Sequence, residues 1–185
     1  MEYHINLPVD SADLTKLRAG DTVYLSGMIY TARDQAHKRI IESISSGNQL
    51  PFDLNGSAIY YVGPTPEKEG YPIGSAGPTT AGRMDKYSPD LIALGNKIMI
   101  GKGKRNEAVK NAIIKHKAVY LGALGGAGAL MANSITAAEL VAWPDLGCEA
   151  VRKLTVKDMP LTVIIDTLGN DLYESGPVAY LRSCK

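Results

Sequence analysis

The sequence predicts an α/β domain, a mixed sheet with helices packed on it, and three observations carry that expectation. Short β-rich runs alternate with stretches of helical periodicity over most of the length. Several runs lead into glycine-rich or small-residue turns that hold a cation: Arg33, Arg83 and Lys102. The 185 residues, 45% hydrophobic and 21% charged, have the length and composition of one globular domain over 1–185. Such a chain buries enough surface to fold without staples.

Residues 21–30, DTVYLSGMIY, read as a strand. The following TARDQAHKRIIESISSG reads as a helix. Thr31 and Asp34 fit a capping-box-like start, Ala36, Ile40, Ile41 and Ile44 make one apolar face, and Gly47 suits the position just past the end. Arg33 then falls in the first turn of a helix directly after a strand. Residues 57–62, SAIYYV, form the next strand, ended by Gly63-Pro64-Thr65-Pro66. A long loop follows, and Ser88-Pro89 opens a short helix with proline at its first position. Residues 97–100, KIMI, form a short strand that Gly101-Lys102-Gly103 turns into a helix near 105–116. Residues 118–121, AVYL, run as a strand into GALGGAGALMA. The tail holds a segment at 149–157 and a hairpin, LTVIIDT-LGN-DLYESG, over 161–175.

Bulk properties narrow the function. A net charge of +1 leaves no global basic field for nucleic acid or a membrane surface. No apolar run reaches the roughly 18 residues that span a bilayer, and the opening MEYHINLPVDSADL has no signal-peptide core. Cys148 and Cys184 stand far apart, in no CxxC or Cys/His spacing. They read as bystander thiols in a reducing compartment, and the expected location is cytoplasmic.

The segment GPTTAGRMD at 77–85 carries the most chemistry. It sits inside YPIGSAGPTTAGRMDKYSP, with neither strand alternation nor a helical stripe in its first half. One reading is a solvated turn whose threonines cap a short helix. The other is a loop that lets a small anion approach the backbone. Ligands in open α/β sheets bind beyond strand carboxyl ends, where helix N-termini point. A threonine hydroxyl is a poor base, and a fixed guanidinium nearby lowers the cost of its alkoxide. Arg33 and Lys102 could hold the carboxylates of a small diacid, arginine with two parallel bonds and lysine as a point charge.

Other motifs are weaker. GKGKRN at 101–106 fits neither a Walker A loop nor GxGxxG, and GGAGALM at 125–131 fails likewise. Gly122, Gly125, Gly126 and Gly128 read as packing positions. His37 and Asp34 read as a surface i, i+3 pair, His4 and His116 have no evident partners, and Trp143-Pro144 plugs the core or an interface. No GxSxG elbow or HExxH motif is present.

GPTTAGRMD, the strand–TARDQAH junction, the IGKG turn and the LGALGGAGAL run together resemble the β subunit of class I, iron–sulfur fumarate hydratases. The related L-tartrate dehydratase β subunit shares these motifs. The resemblance covers essentially the whole chain, and it implies a swivelling β/β/α domain. It implies reversible addition of water to a carbon–carbon double bond between two carboxylates, fumarate to L-malate. It implies a [4Fe–4S] cluster held by three cysteines of a partner α subunit, with one iron open as a Lewis acid, in an α2β2 assembly; no metal is expected on this chain. By motif, Arg33, Arg83 and Lys102 would bind substrate carboxylates, with Thr80 as a further contact, and Thr79 would be the base. The choice of Thr79 over Thr80 comes from the resemblance. Fumarate and tartrate remain open as substrates, beside a non-catalytic anion-binding α/β domain.

Overall fold

The computed structural model describes residues 1–183; Cys184 lies outside the described residues. The chain opens with β1 (Glu2–Asn6), a short helix α1 (Ser11–Leu14) and β2 (Thr22–Thr31). Helix α2 (Asp34–Ser45), β3 (Ala58–Tyr60), α3 (Ser88–Ala93), β4 (Ile98–Gly101), α4 (Glu107–His116) and β5 (Val119–Gly122) follow. The last third holds α5 (Gly128–Asn133), β6 (Ile135–Ala142), the long β7 (Val151–Ile165) and α6 (Leu172–Ser183). Two 3-10 turns, Ala81–Met84 and Pro144–Glu149, sit in the connections.

The strands form one mixed sheet in the order β1-β2-β3-β4-β5-β7-β6, with a further pairing of β2 to β7. Strands β2 to β5 are parallel neighbours, and β7 runs antiparallel to both β5 and β2. The pairing therefore closes on itself, and strand alternation separates two cores. Val23, Leu25, Tyr60, Ile100, Leu121 and Val163 belong to one cluster. Ile59, Met99, Tyr120 and Ile164 belong to the other, with Ile40 of α2, Leu91 of α3 and Ile113 of α4. Strands covered on both faces need no polar alternation, hence the unbroken apolar runs AIY, IMI and VYL.

Three local expectations are revised. The hairpin over 161–175 is absent: 151–165 is one strand, and the second arm is helix α6. The Asp166 carboxylate accepts the N–H groups of Leu168 and Asn170 at 2.9 and 3.1 Å, folding the LGN turn. Asp171 then takes the Tyr173 N–H at 2.9 Å, starting a helix where a strand was expected. The capping box at Thr31 is also absent. Thr31 ends β2, and its hydroxyl donates to the Ala150 carbonyl and accepts the Arg152 N–H. Arg33 is the residue before the first helical turn, in extended backbone. Two strands had no sequence signal. Strand β1 lies at a sheet edge, and β6, ITAAELVA, is mostly exposed with good helix formers. Pairing with β7 makes β6 a strand.

Candidate active site

The carboxyl ends of β2, β3, β4 and β5 share one side of the sheet. Thr31 pairs with Tyr60, Tyr60 with Ile100, and Ile100 with Leu121. Arg33 and Lys102 thus lie two residues beyond a common level, on strands separated by β3. Across the next junction, Gly125 lies against the Lys102 side chain: a Cβ there would stand 3.7 Å from the Lys102 Cδ, in ordinary contact. A hollow of about 760 Å³ lined by Leu50, Phe52 and Leu94, among others, includes none of these cations.

The GPTTAGRMD segment is threaded between two strand exits. Pro78 bridges Val62 antiparallel, and Thr80 bridges Lys102 in parallel. The Thr79 N–H donates to the Tyr61 carbonyl at 2.8 Å, and its own carbonyl accepts the Lys102 N–H at 3.3 Å. The Ala81 N–H donates to the Lys102 carbonyl at 2.8 Å. Thr79 is therefore held from both sides through its backbone, is half-buried, and uses its hydroxyl in no hydrogen bond among the described residues. Thr80 is exposed and heads the 3-10 turn, yet its side chain makes no capping bond, so the turn-capping reading is not what the loop does. Arg83 lies in that turn, exposed and without an ion-pair partner among the described residues. Lys102 is exposed and likewise unpaired. The structure thus ties Thr79, Thr80 and Lys102 into one backbone ladder, with Arg83 on the turn that continues it.

Arg33 sits at the neighbouring exit under different conditions. Its guanidinium Nη2 is 3.2 Å from the Glu149 carboxylate and its Nε 3.8 Å from Asp34. Neither contact is an aligned hydrogen bond: Arg33 Nε and Asp34 Oδ1 are buried without a partner, as is His37 Nε2. The other Glu149 oxygen accepts the Gln35 N–H at 3.0 Å, inside the first turn of α2. Glycine at 63 is what lets the arginine lie there, since a Cβ would stand 2.7 Å from its Nη1.

His37 is no surface partner of Asp34. It is buried against the Tyr61 and Tyr87 rings, with Nδ1 2.9 Å from the Arg33 carbonyl. Burial pushes its imidazole down to about 4; the Arg33 carbonyl opposes this, Arg105 adds to it, and Asp34 opposes it. The ring is therefore neutral at pH 7, and Nδ1–H is assigned as donor to the carbonyl.

Asp85 and Arg105 gave no separate signal in the sequence. The Arg105 side chain has 0% exposure and its Nε is 2.6 Å from Asp85. Its Nη2 donates to the Ser88 hydroxyl at 2.6 Å, and the guanidinium lies over the Tyr61 and Tyr120 rings at 5.3 and 5.0 Å. The second Asp85 oxygen accepts the Asn106 N–H at 2.7 Å. Burial works against the Arg105 charge, but Tyr61, Asp85 and Tyr120 together hold its pKa above the ordinary value. The failed phosphate-loop pattern GKGKRN was the available clue: an arginine after glycines, next to a helix-capping asparagine whose side chain accepts the Val109 N–H.

Arg33 and Lys102 thus stand at the exits of β2 and β4, on either side of the β3 exit, and Thr79, whose hydroxyl makes no hydrogen bond among the described residues, is joined through its backbone to Tyr61 and Lys102. Comparison with known proteins gives the family. The putative L(+)-tartrate dehydratase subunit beta of Methanocaldococcus jannaschii is 43% identical over 180 residues, covering 94% of this chain and 92% of that protein. The L(+)-tartrate dehydratase subunit beta of Escherichia coli is 36% identical over 177 residues, covering 93% and 87%. The anaerobic class I fumarate hydratase of Escherichia coli is 43% identical over 179 residues, covering 94% of this chain and 32% of its own length. The chain thus spans about a third of the fumarate hydratases it matches. Residues 2–176 match the family model described as the fumarase C-terminus, and the chain belongs to that family.

Proposed function

We propose that the whole chain, 1–185, acts as a single β-type domain of an iron–sulfur hydro-lyase that reversibly hydrates fumarate to L-malate. The observation that supports this most is Thr79: its backbone is fixed on both sides, to Tyr61 and to Lys102, and its hydroxyl makes no hydrogen bond among the described residues. In the dehydration direction, the Thr79 alkoxide takes the proton from the carbon next to one carboxylate, and the carbon–hydroxyl bond breaks at the neighbouring carbon as the double bond forms. The leaving hydroxide takes the proton now on Thr79 and departs as water, which restores the alkoxide. Arg83 and Lys102 supply positive charge where the carboxylate and alkoxide carry negative charge, which lowers the cost of deprotonating threonine. Arg33 holds the far carboxylate. Its side chain keeps 21% exposure and makes no aligned hydrogen bond to Glu149, which leaves Nη donors for a ligand. Thr80, exposed on the same ladder, is a further substrate contact.

The described residues do not fit an iron–sulfur cluster. They include no group of three or more His, Cys, Asp or Glu side chains able to hold a metal, and Cys148 is exposed and free. The [4Fe–4S] cluster in this reading belongs to a cluster-bearing α subunit, in an α2β2 assembly, and the substrate site lies at the seam. The subunit names of two relatives support a partner. We place the protein in the cytoplasm; no helix among the described residues is long and apolar enough to cross a membrane. L-tartrate dehydration is the second reading, favoured by the near full-length match to the two tartrate dehydratase subunits.

Anaerobic co-expression with the cysteine-bearing partner, followed by assay on fumarate, malate and tartrate, tests the proposal. Turnover of fumarate and malate supports the first reading, and turnover of tartrate alone supports the second. Turnover of none with an intact cluster leaves an anion-binding domain without this chemistry.

A further inference from the structure

The geometry points to the buried Asp85–Arg105 pair as a positioning device that sets Thr79, Arg83 and Lys102 relative to one another for the hydro-lyase reaction. This rests on the reading of those three residues as the reacting groups. Residues 79–85 and 102–106 are two separate segments. At one end they are joined by the Thr80–Lys102 bridge and the Thr79, Ala81 and Lys102 backbone bonds. At the other, Asp85 takes both the Arg105 Nε–H and the Asn106 N–H, at 2.6 and 2.7 Å. Two attachments fix rotation as well as separation; one would leave a hinge.

Arg105 extends the grip. Its Nη2–H reaches Ser88, whose hydroxyl donates to the Met84 carbonyl at 3.0 Å, so the turn carrying Arg83 is held from below. The two rings beside the guanidinium are tied to the same segments. Tyr61 receives the Thr79 N–H through its carbonyl, and the Tyr120 hydroxyl donates to the Gly103 carbonyl at 3.0 Å. With 0% exposure, the Arg105 side chain cannot touch a substrate and acts only through these neighbours. A buried ion pair is a weak device for stability, because an apolar pair of similar volume serves as well. What the guanidinium fork adds is direction.

The test has two readouts. In the enzyme assembled with its cluster-bearing partner, Asp85→Asn and Arg105→Met should lower kcat by about 100-fold, the effect of misplacing reacting groups by an ångström. KM should move less, and the assay is run well below each variant's melting temperature. Arg105→Lys should recover part of the loss, since lysine reaches Asp85 but cannot also hold Ser88. On the 185-residue chain alone, hydrogen exchange at the Thr79, Ala81 and Lys102 amides should quicken, while β1 and β2 amides keep their protection. Wild-type kcat in the folded variants overturns the proposal whatever exchange does, because lower stability with unchanged turnover is a purely structural role. If the wild-type assembly turns over none of the three diacids, the hydro-lyase reading fails instead. Exchange then decides alone: faster exchange at the three amides retains the pair's grip on the two segments, and unchanged exchange removes it.

Discussion

Two sides of one site are built on opposite principles. Beneath Thr79 and Lys102, Asp85, Ser88, Arg105 and Asn106 hold one another with short bonds. At the Arg33 junction, Arg33 Nε, Asp34 Oδ1 and His37 Nε2 are buried and unpartnered. Buried polar groups are normally paired, and each left without a partner costs about 1–3 kcal/mol. The first side is saturated and therefore rigid. The second retains unmet bonding capacity in a cation, a carboxylate and an imidazole, and is the less saturated side. In the function proposed above, the saturated side would hold the base still and the other would admit the diacid.

The comparison is most easily broken at the base. Thr79→Ala should lower kcat by about 10²–10⁴-fold in enzyme with full cluster content, with little change in substrate affinity. Thr80→Ala should be milder and appear mainly in KM, since Thr80 is placed as a substrate contact and its hydroxyl makes no capping bond. If Thr80→Ala is instead the dead variant, the rigid side presents the wrong hydroxyl; isotope exchange at the substrate C–H identifies which residue moves the proton.

Arg83→Lys keeps the charge but loses the planar fork, and kcat/KM should fall by the equivalent of about 2–5 kcal/mol. Near wild-type kcat/KM would show that Arg83, on the exposed turn, acts only as a charge.

His37 probes the unsatisfied side through pH. Its folded-state pKa of about 4 lies below the ordinary 6.5 because burial disfavours the charged ring. The unfolded ring therefore binds the proton that the folded ring refuses between about pH 4 and 6.5. Stability is fully present above that window and is lost as pH falls through it, by up to about 3 kcal/mol. Urea unfolding at pH 7 and pH 5 should show the loss in the wild type and a smaller one in His37→Phe. Equal slopes in the two proteins would mean the ring is solvated after all.

Arg33→Ala and Lys102→Ala should mainly raise KM for the diacid, by about 10- to 100-fold for a charged hydrogen-bonded contact of roughly 1.5–3 kcal/mol. Gly63→Ala sharpens the test. Its Cβ would stand 2.7 Å from the Arg33 Nη1 and 3.3 Å from the Cys148 carbonyl, so the arginine must shift and KM should rise as in Arg33→Ala. An unchanged KM in Gly63→Ala would show that Arg33 binds nothing from its present position.

Much of this was readable in advance. Helix α2 follows from apolar spacing, with Gly47 just past its end at a φ of 69°, and α4 follows the Gly101-Lys102-Gly103 turn. The strands buried on both faces follow from short unbroken apolar runs. Strand β6 was not readable, because alanine, glutamate and leucine favour a helix and only pairing with β7 overrides them. The arm after Asn170 was misread because two aspartates, 166 and 171, redirect the backbone through their side chains, and strand alternation is blind to that.

The sequence by itself determined the α/β class, the cationic glycine-rich junctions and the motifs shared with the fumarase C-terminus family, because periodicity, turn chemistry and local residue order are written along the chain. Only the tertiary structure decided that β7 returns to β2 and closes the sheet, that Glu149 stands against Arg33, and that Asp85 is joined to Arg105. Each of these joins residues far apart in the chain, 116 positions in the case of Arg33 and Glu149. No local pattern encodes such a pairing. It follows from which strand ends the closed sheet brings together, and from the cost of leaving a buried charge without a counter-charge.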